Sequence, residues 1–273
     1  MNVLQWLAII ILALLPIITW SYLLLGRTNE NRQLLLKVFT YGGLATVPLL
    51  LYRWSWNLFP SFNITTTLSN LADGKTVNIG SFLVIPLSYI LVFLTIGIFE
   101  EYLKSLVIRK KVPHIEINSV ADAVEFSLVA GLGFAFVENV FYLGEIYYLV
   151  GSSALIKIFI SRALFATFAH MLFSAVFGYY YGISMFASKA LEKNRCAFDV
   201  QIIRKIVEYI PSLNKIKLFQ FEEILLGLIY AASLHAIYNI FLELQITVFL
   251  IPFLVFGVIL LVKLLKLEQK TVE

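Results

Sequence analysis

The apolar residues of this chain fall in blocks of about 20, the length that a helix needs to cross the hydrocarbon core of a bilayer. Hydrophobic residues make up 60% of the 273 positions and charged residues only 14%. An average soluble domain has about 45–50% and about 25%, so this chain has too little polar surface to cover a globule in water. We expect an all-α, polytopic bundle of transmembrane helices.

Hydropathy windows of about 19 residues predict seven spans. They cover residues 3–25, 34–52, 81–108, 124–143, 162–187, 221–242 and 246–265. The first span has no basic segment before it and no small-residue cleavage site, so we expect it to stay as an anchor and not to be removed as a signal peptide.

Lysine and arginine are distributed unevenly between the two sides of these spans. One side carries 17 of the 21 basic residues, and the other carries only Arg53, Lys75, Lys157 and Arg162. Because cytoplasmic segments hold the excess of such residues, we expect the N-terminus outside and the C-terminus in the cytoplasm. The basic residues separate apolar spans and form no stripe among aromatic side chains, so we expect the lipid bilayer and no nucleic acid as a partner.

Ionisable residues interrupt four successive predicted spans. A charge at the bilayer centre costs at least about 2.5–3.5 kcal/mol, so each such residue needs a partner or a function. They are Glu100, Glu101 and Lys104 in the third span, Glu125 and Glu138 in the fourth, Arg162 and His170 in the fifth, and His235 with Asn239 in the sixth. Residues four apart share a helix face, so each helix can direct its polar side chains into the bundle.

Four short motifs stand in order on these helices. They are Glu100-Glu101-Tyr102-Leu103-Lys104, Phe134-Ala135-Phe136-Val137-Glu138, Arg162 with His170, and His235-Ala236-Ile237-Tyr238-Asn239. This order resembles the EExxK, FxxxE, arginine/histidine and HxxxD motifs of PrsW-type intramembrane proteases. Asn239 replaces the aspartate of that family and is similar to the HxxxN of the related CAAX-processing (Rce1-like) proteases. We expect one integral membrane domain over residues 1–273, with its motif-bearing core at about 81–243.

The resemblance implies an intramembrane endopeptidase in a bacterial or archaeal cell membrane. Its substrate would be a membrane-tethered protein, for example an anti-sigma factor. By motif, the resemblance implies that Glu100 or Glu101 is the base that activates water, helped by Glu138 or His170. It implies that His235 and Asn239 stabilise the oxyanion. The supporting residues would be Lys104, Arg162 and Phe134. Because neighbouring residues point about 100° apart on a helix, one of the two adjacent glutamates should face the water and the other should make a structural contact.

No cofactor is firmly implied by these motifs. Cys196 is the only cysteine, which excludes a disulfide framework or a thiolate cluster within one chain. The alternative is catalytic Zn²⁺ held by His170, His235 and Glu138, because such a site needs three protein ligands and an open position. No HExxH sequence is present.

Two functions of other classes stay open at this point. A catalytically silent scaffold could bind a partner helix in the same groove, and the Asn239 replacement motivates this hypothesis. An ion-coupled transporter could use buried glutamate and histidine as a proton relay.

The protease hypothesis also requires that the glutamates and histidines lie at the same depth in the bundle. Glu100 lies roughly 13 Å from the cytoplasmic end of its span, whereas Glu138, His170 and His235 lie about 20–27 Å from the cytoplasmic ends of theirs. The helices must therefore protrude or tilt for these side chains to meet.

Overall fold

A computed structural model describes residues 1–25, 31–81, 83–151, 159, 164–186 and 215–272. These residues form the helices α1 (Val3–Leu25), α2 (Arg32–Leu44), α3 (Val47–Ser55), α4 (Ile64–Leu71), α5 (Leu87–Lys111), α6 (Val120–Val150), α7 (Leu164–Met185), α8 (Lys215–Glu243) and α9 (Leu250–Val272). The strands β1 (Thr76–Ile79) and β2 (Leu83–Pro86) pair as an antiparallel hairpin between α4 and α5.

The predicted class, an all-α helical membrane protein, is confirmed. Within the described ranges, four helical stretches are long and apolar enough to cross a bilayer: Val3–Leu23, Arg32–Ser55, Val120–Val150 and Ile216–Glu243. The count of seven spans and the outside location of the N-terminus stay predictions. The first residues of the predicted fifth span, including Arg162, lie outside the described residues.

Two helix boundaries differ from the predicted spans for identifiable reasons. Residues 83–86 of the predicted third span form β2, and α5 begins only after Pro86, whose fixed φ angle and missing N–H suit the start of a helix. Helix α6 begins at Val120, four residues before the predicted span. A capping box explains this early start, since Ser119 and Asp122 each accept a hydrogen bond from the backbone N–H of the other.

Helix α6 lies at the centre of the bundle and packs through small residues against α2 and α7. A Cβ atom added at Gly133 would overlap the carbonyl oxygen of Phe39 on α2. One added at Gly131 would lie 2.8 Å from the carbonyl oxygen of His170 on α7. Small residues allow helix backbones to approach closely inside a membrane. This close packing holds the motif residues of α6 beside those of α7.

We expect Gly133→Ala to lower the thermal stability of the protein. Helix propensity alone would favour alanine by about 0.8–1.0 kcal/mol, but the added methyl group meets backbone that cannot move aside. Overpacking of this kind costs about 1–3 kcal/mol. The measurement is the midpoint of thermal unfolding in detergent.

Gly144→Ala on the same helix is the matched control. There the added Cβ would meet only the ring edge of Trp6, at 3.0 Å, and a side chain can rotate away. We expect a smaller loss of stability in this variant. An unfolding midpoint that rises in Gly133→Ala would contradict the tight contact between α2 and α6.

Candidate active site

Side chains from four helices meet inside the bundle. Helix α5 contributes Glu100, Glu101 and Lys104, α6 contributes Phe134 and Glu138, α7 contributes His170, and α8 contributes His235. The glutamates and histidines lie at the same depth in the bundle because the helices are shifted along their axes relative to one another. Glu100 lies about 16 Å from the end of α5, whereas His235 lies about 30 Å from the beginning of α8.

Lys104 is a buried cation that joins two parts of the site. Its Nζ atom donates hydrogen bonds to Oε1 of Glu101 at 2.7 Å and to Nδ1 of His170 at 2.8 Å. The ammonium also lies 4.4 Å from the centre of the Phe134 ring, a cation–π distance. Its position therefore depends on a carboxylate, an imidazole and an aromatic face at once.

Glu101 is the glutamate with the structural contacts. Its Oε1 atom accepts the hydrogen bond of Lys104 and lies 2.9 Å from Nδ1 of His235, which donates to it. The residue is 1% exposed, whereas the side chain of Glu100 is 12% exposed. Of the two alternatives left open by the sequence, Glu100 is the one directed into the site.

Glu100, His170 and His235 bring metal-ligating atoms together. One such atom from each residue lies within 4.8 Å of those of the other two. Since Nδ1 of His235 is engaged by Glu101, its Nε2 is the available nitrogen, and it lies 3.6 Å from Oε2 of Glu100. This Oε2 atom is buried and has no hydrogen bond within the part of the chain that the structure describes.

His170 has its two ring nitrogens in different surroundings. Nδ1 accepts the hydrogen bond of Lys104, because an ammonium can only donate. Nε2 therefore carries the proton of the neutral ring and donates it to Oε2 of Glu138 at 2.6 Å. A metal ion at Nε2 would take the place of this proton. The ring stands edge-to-face to that of His235, with the ring centres 5.1 Å apart.

The chemistry of this set fits a divalent metal ion. Two imidazoles and a carboxylate are the ligands of one common class of catalytic zinc site, which leaves a position open for water. Glu101 binds the second nitrogen of His235, as the carboxylates that orient metal-bound histidines do. Glu100, Glu101, Glu138 and Lys104 leave a formal charge of −2 if the histidines are neutral, which one divalent cation would neutralise. The converging carboxylate is Glu100, whereas the sequence suggested Glu138, which instead contacts His170.

The other predicted residues have distinct positions. Phe134 is 1% exposed and lies 5.6 Å from the ring of His170, so it packs against the site. Asn239 is half-buried one helical turn beyond His235, and no hydrogen bond of its side chain is found among the described residues. Arg162 lies outside the described residues.

Several residues of the site were missed by the sequence analysis. Phe173 stacks on His235 with ring centres 5.2 Å apart, and nothing distinguishes it from the other 22 phenylalanines of the chain. Ser105, Ser127 and Ser174 line a narrow gap beside Glu101 and Lys104. Ser174 could have been found, because it follows His170 by four residues and so shares its helix face.

Comparison with known proteins gives a consistent result. The model of a protein family described as PrsW family intramembrane metalloprotease matches residues 30–265. A protein named Protease PrsW from Geobacillus kaustophilus is 35% identical over 98 residues, which are 36% of this chain and 40% of that protein. Another of the same name from Clostridioides difficile is 24% identical over 174 residues, which are 62% of this chain and 63% of that protein. The chain thus spans less than two thirds of either relative, and no solved structure matches it.

Proposed function

Because the chain belongs to the PrsW family of intramembrane metalloproteases, we propose that it hydrolyses peptide bonds of a membrane-tethered protein. The family resemblance read from the four motifs is confirmed by this membership. The observation that carries the proposal is the convergence of Glu100, His170 and His235, whose ligating atoms lie within 4.8 Å of one another. The family description and this donor set together favour the zinc alternative over a site without a cofactor.

In the proposed site, Glu100, His170 and His235 would hold Zn²⁺. The metal would supply a Lewis acid for the attacking water and for the carbonyl of the scissile bond. Glu101 orients His235 through Nδ1, and Lys104 holds Glu101 in place. The catalytic roles thereby divide between residues that bind the metal and residues that orient them.

Glu138 is proposed as the general base and acid. Its side chain is 33% exposed, more than that of Glu100 or Glu101, so it is the carboxylate of the cluster most accessible from outside the protein. It would accept a proton from the attacking water as the new C–O bond forms. It would then donate that proton to the amine as the C–N bond breaks.

Asn239 is proposed to donate a hydrogen bond to the oxyanion of the tetrahedral intermediate. A carboxamide carries N–H donors, whereas an ionised aspartate can only accept. The replacement of the family's aspartate is therefore compatible with this role.

A site inside a membrane bundle also favours a single-span substrate, such as an anti-sigma factor.

The test is coexpression of the wild type with a panel of tagged single-span membrane proteins. Glu100→Gln is the inactive variant, and Glu145→Gln is the matched control, because Glu145 pairs with Arg53 and its side chain is 44% exposed. We expect new fragments with the wild type and Glu145→Gln only, and their loss on addition of a chelator.

Each other outcome selects a different function or mechanism. Fragments that require Glu100 but still form in the presence of the chelator would contradict the metal-dependent mechanism and favour water activation by glutamate and histidine alone. The same fragment pattern with the wild type, Glu100→Gln and Glu145→Gln would contradict the protease function and favour the scaffold or the transporter.

A further inference from the structure

Among the described residues, strand β1 of the β1–β2 hairpin pairs with β2 on one edge and with no strand on the other. All four residues of β1 are exposed, including the apolar Val77 and Ile79 at 40% and 46%. The edge strand of a sheet offers a row of backbone N–H and C=O groups with which another chain can pair. The orientation of these groups in β1 follows from the register.

The pairing of the two strands determines which backbone groups point outward. Leu87 donates its N–H to the carbonyl of Lys75, and in the same register Val77 lies opposite Ile85 and Ile79 opposite Leu83. Directly opposed pairs in an antiparallel ladder alternate between bonded and non-bonded. The intervening residues Thr76 and Asn78 therefore direct their N–H and C=O groups away from β2, and no backbone hydrogen bond between described residues uses them.

The two edges of the hairpin differ. On β2 the corresponding outward residues are Val84 and Pro86, and proline has no N–H to donate. Ile85 of β2 is also 7% exposed, whereas every residue of β1 is exposed. The edge of β1 is therefore the better site for a third strand.

The hairpin also lies at a defined distance from the candidate active site. Strand β2 continues directly into α5, and the 13 helical steps from Leu87 to Glu100 correspond to about 20 Å along the helix axis. An extended chain covers this distance with about six residues. A peptidase needs such an extended chain, because the carbonyl and N–H groups of a helix are already bonded within the helix.

We propose that an extended segment of the substrate adds to the edge of β1 as a third strand and positions the scissile bond about six residues further along the substrate. This rests on the proposed protease function. The addition of a peptide strand to a sheet edge is a common mode of peptide recognition. The backbone groups of Thr76 and Asn78 supply the hydrogen bonds, and the side chains of Val77 and Ile79 supply apolar contacts.

The first test removes one backbone donor at a time. Asn78→Pro deletes an N–H group that points away from β2 and leaves the β1–β2 hydrogen bonds in place. The matched control is Val84→Pro, because Val84 lies opposite Asn78 and its N–H points outward on the β2 edge. We expect Asn78→Pro to raise the KM for a cleaved reporter about 10-fold with little change in kcat. Val84→Pro and Asn78→Ala, which keeps the N–H, should behave like the wild type. Equal KM values for the two proline variants would overturn the proposal, provided that the wild type cuts the reporter.

The second test does not depend on cleavage. In the Glu100→Gln variant with Cys196→Ser, the substitution Asn78→Cys supplies a single thiol for crosslinking. The probe is a tagged single-span protein of the panel, with cysteines introduced one at a time along the residues that precede its span. Crosslinks at every second position are expected, because side chains alternate along a strand. Crosslinks at every third or fourth position, or none, would overturn the docked strand even if the protein is a protease.

Discussion

Loss of bound Zn²⁺ and a fall in cleavage rate of more than about 100-fold are expected for Glu100→Gln, His170→Ala and His235→Ala. Substitutions of the residues that merely orient metal ligands already cost about 10–100-fold, and these three residues are the proposed ligands themselves. The measurements are the zinc content of the purified protein and the initial rate on a cleaved reporter. The chain has only three histidines, so His114→Ala, which replaces the histidine outside the proposed site, is the matched control.

His114 is exposed and lies in the turn between α5 and α6, so its replacement should leave both quantities unchanged. Full zinc content in all three ligand variants would contradict the assignment of the metal site. Loss of zinc with unchanged cleavage would contradict its catalytic role. The two measurements therefore separate the metal from the reaction.

The second large effect concerns Lys104. We expect Lys104→Met to destabilise the protein by about 3–5 kcal/mol, because removal of one partner from a buried ion pair leaves the other charge uncompensated. Lys104 is 2% exposed and Glu101 is 1% exposed, so water cannot replace the lost contact. The measurement is thermal or denaturant unfolding of the purified protein in detergent. Lys110→Met, an exposed position on the same helix, is the matched control.

The double variant Lys104→Met with Glu101→Gln distinguishes an ion pair from general packing. If the charge on Glu101 causes the loss, the double variant should be more stable than the sum of the two single effects predicts. Strict additivity would mean that the loss comes from the other contacts of Lys104, with His170 and Phe134, and not from the charge on Glu101. It would also contradict the role of Lys104 in holding Glu101 beside His235.

The parts of the fold that follow from hydropathy and motif order were predictable from the sequence. Spans of about 20 apolar residues have one stable form in a bilayer, because backbone groups must be paired internally. The four motifs place Glu100, His170 and His235 on separate helices with their polar faces inward. Their convergence could not be derived from spans alone, since the axial stagger of the helices depends on packing between distant segments. The small residues of α6 contribute to that packing.

The hairpin could not be predicted from periodicity. Leu83, Val84 and Ile85 form a short apolar run that continues into the third hydropathy block, and such a run is compatible with a strand or with a buried helix. Pairing with Thr76–Ile79 decides for the strand, and Pro86 marks the change to helix. The choice between Glu100 and Glu101 was likewise open, because it depends on where Lys104 and His235 lie around α5.

The assignment of the metal ligands to three different helices also sets the time at which the site can first exist during biosynthesis. Glu100 and His235 are separated by 135 positions in the chain, which a ribosome adds in roughly 7–27 s at about 5–20 residues per second. Until α8 has been made and inserted, the nascent chain holds Glu100 and His170 without His235. In the proposed site, a growing polypeptide could not cut its neighbours at the site of membrane insertion, and cleavage would begin only when the bundle is assembled.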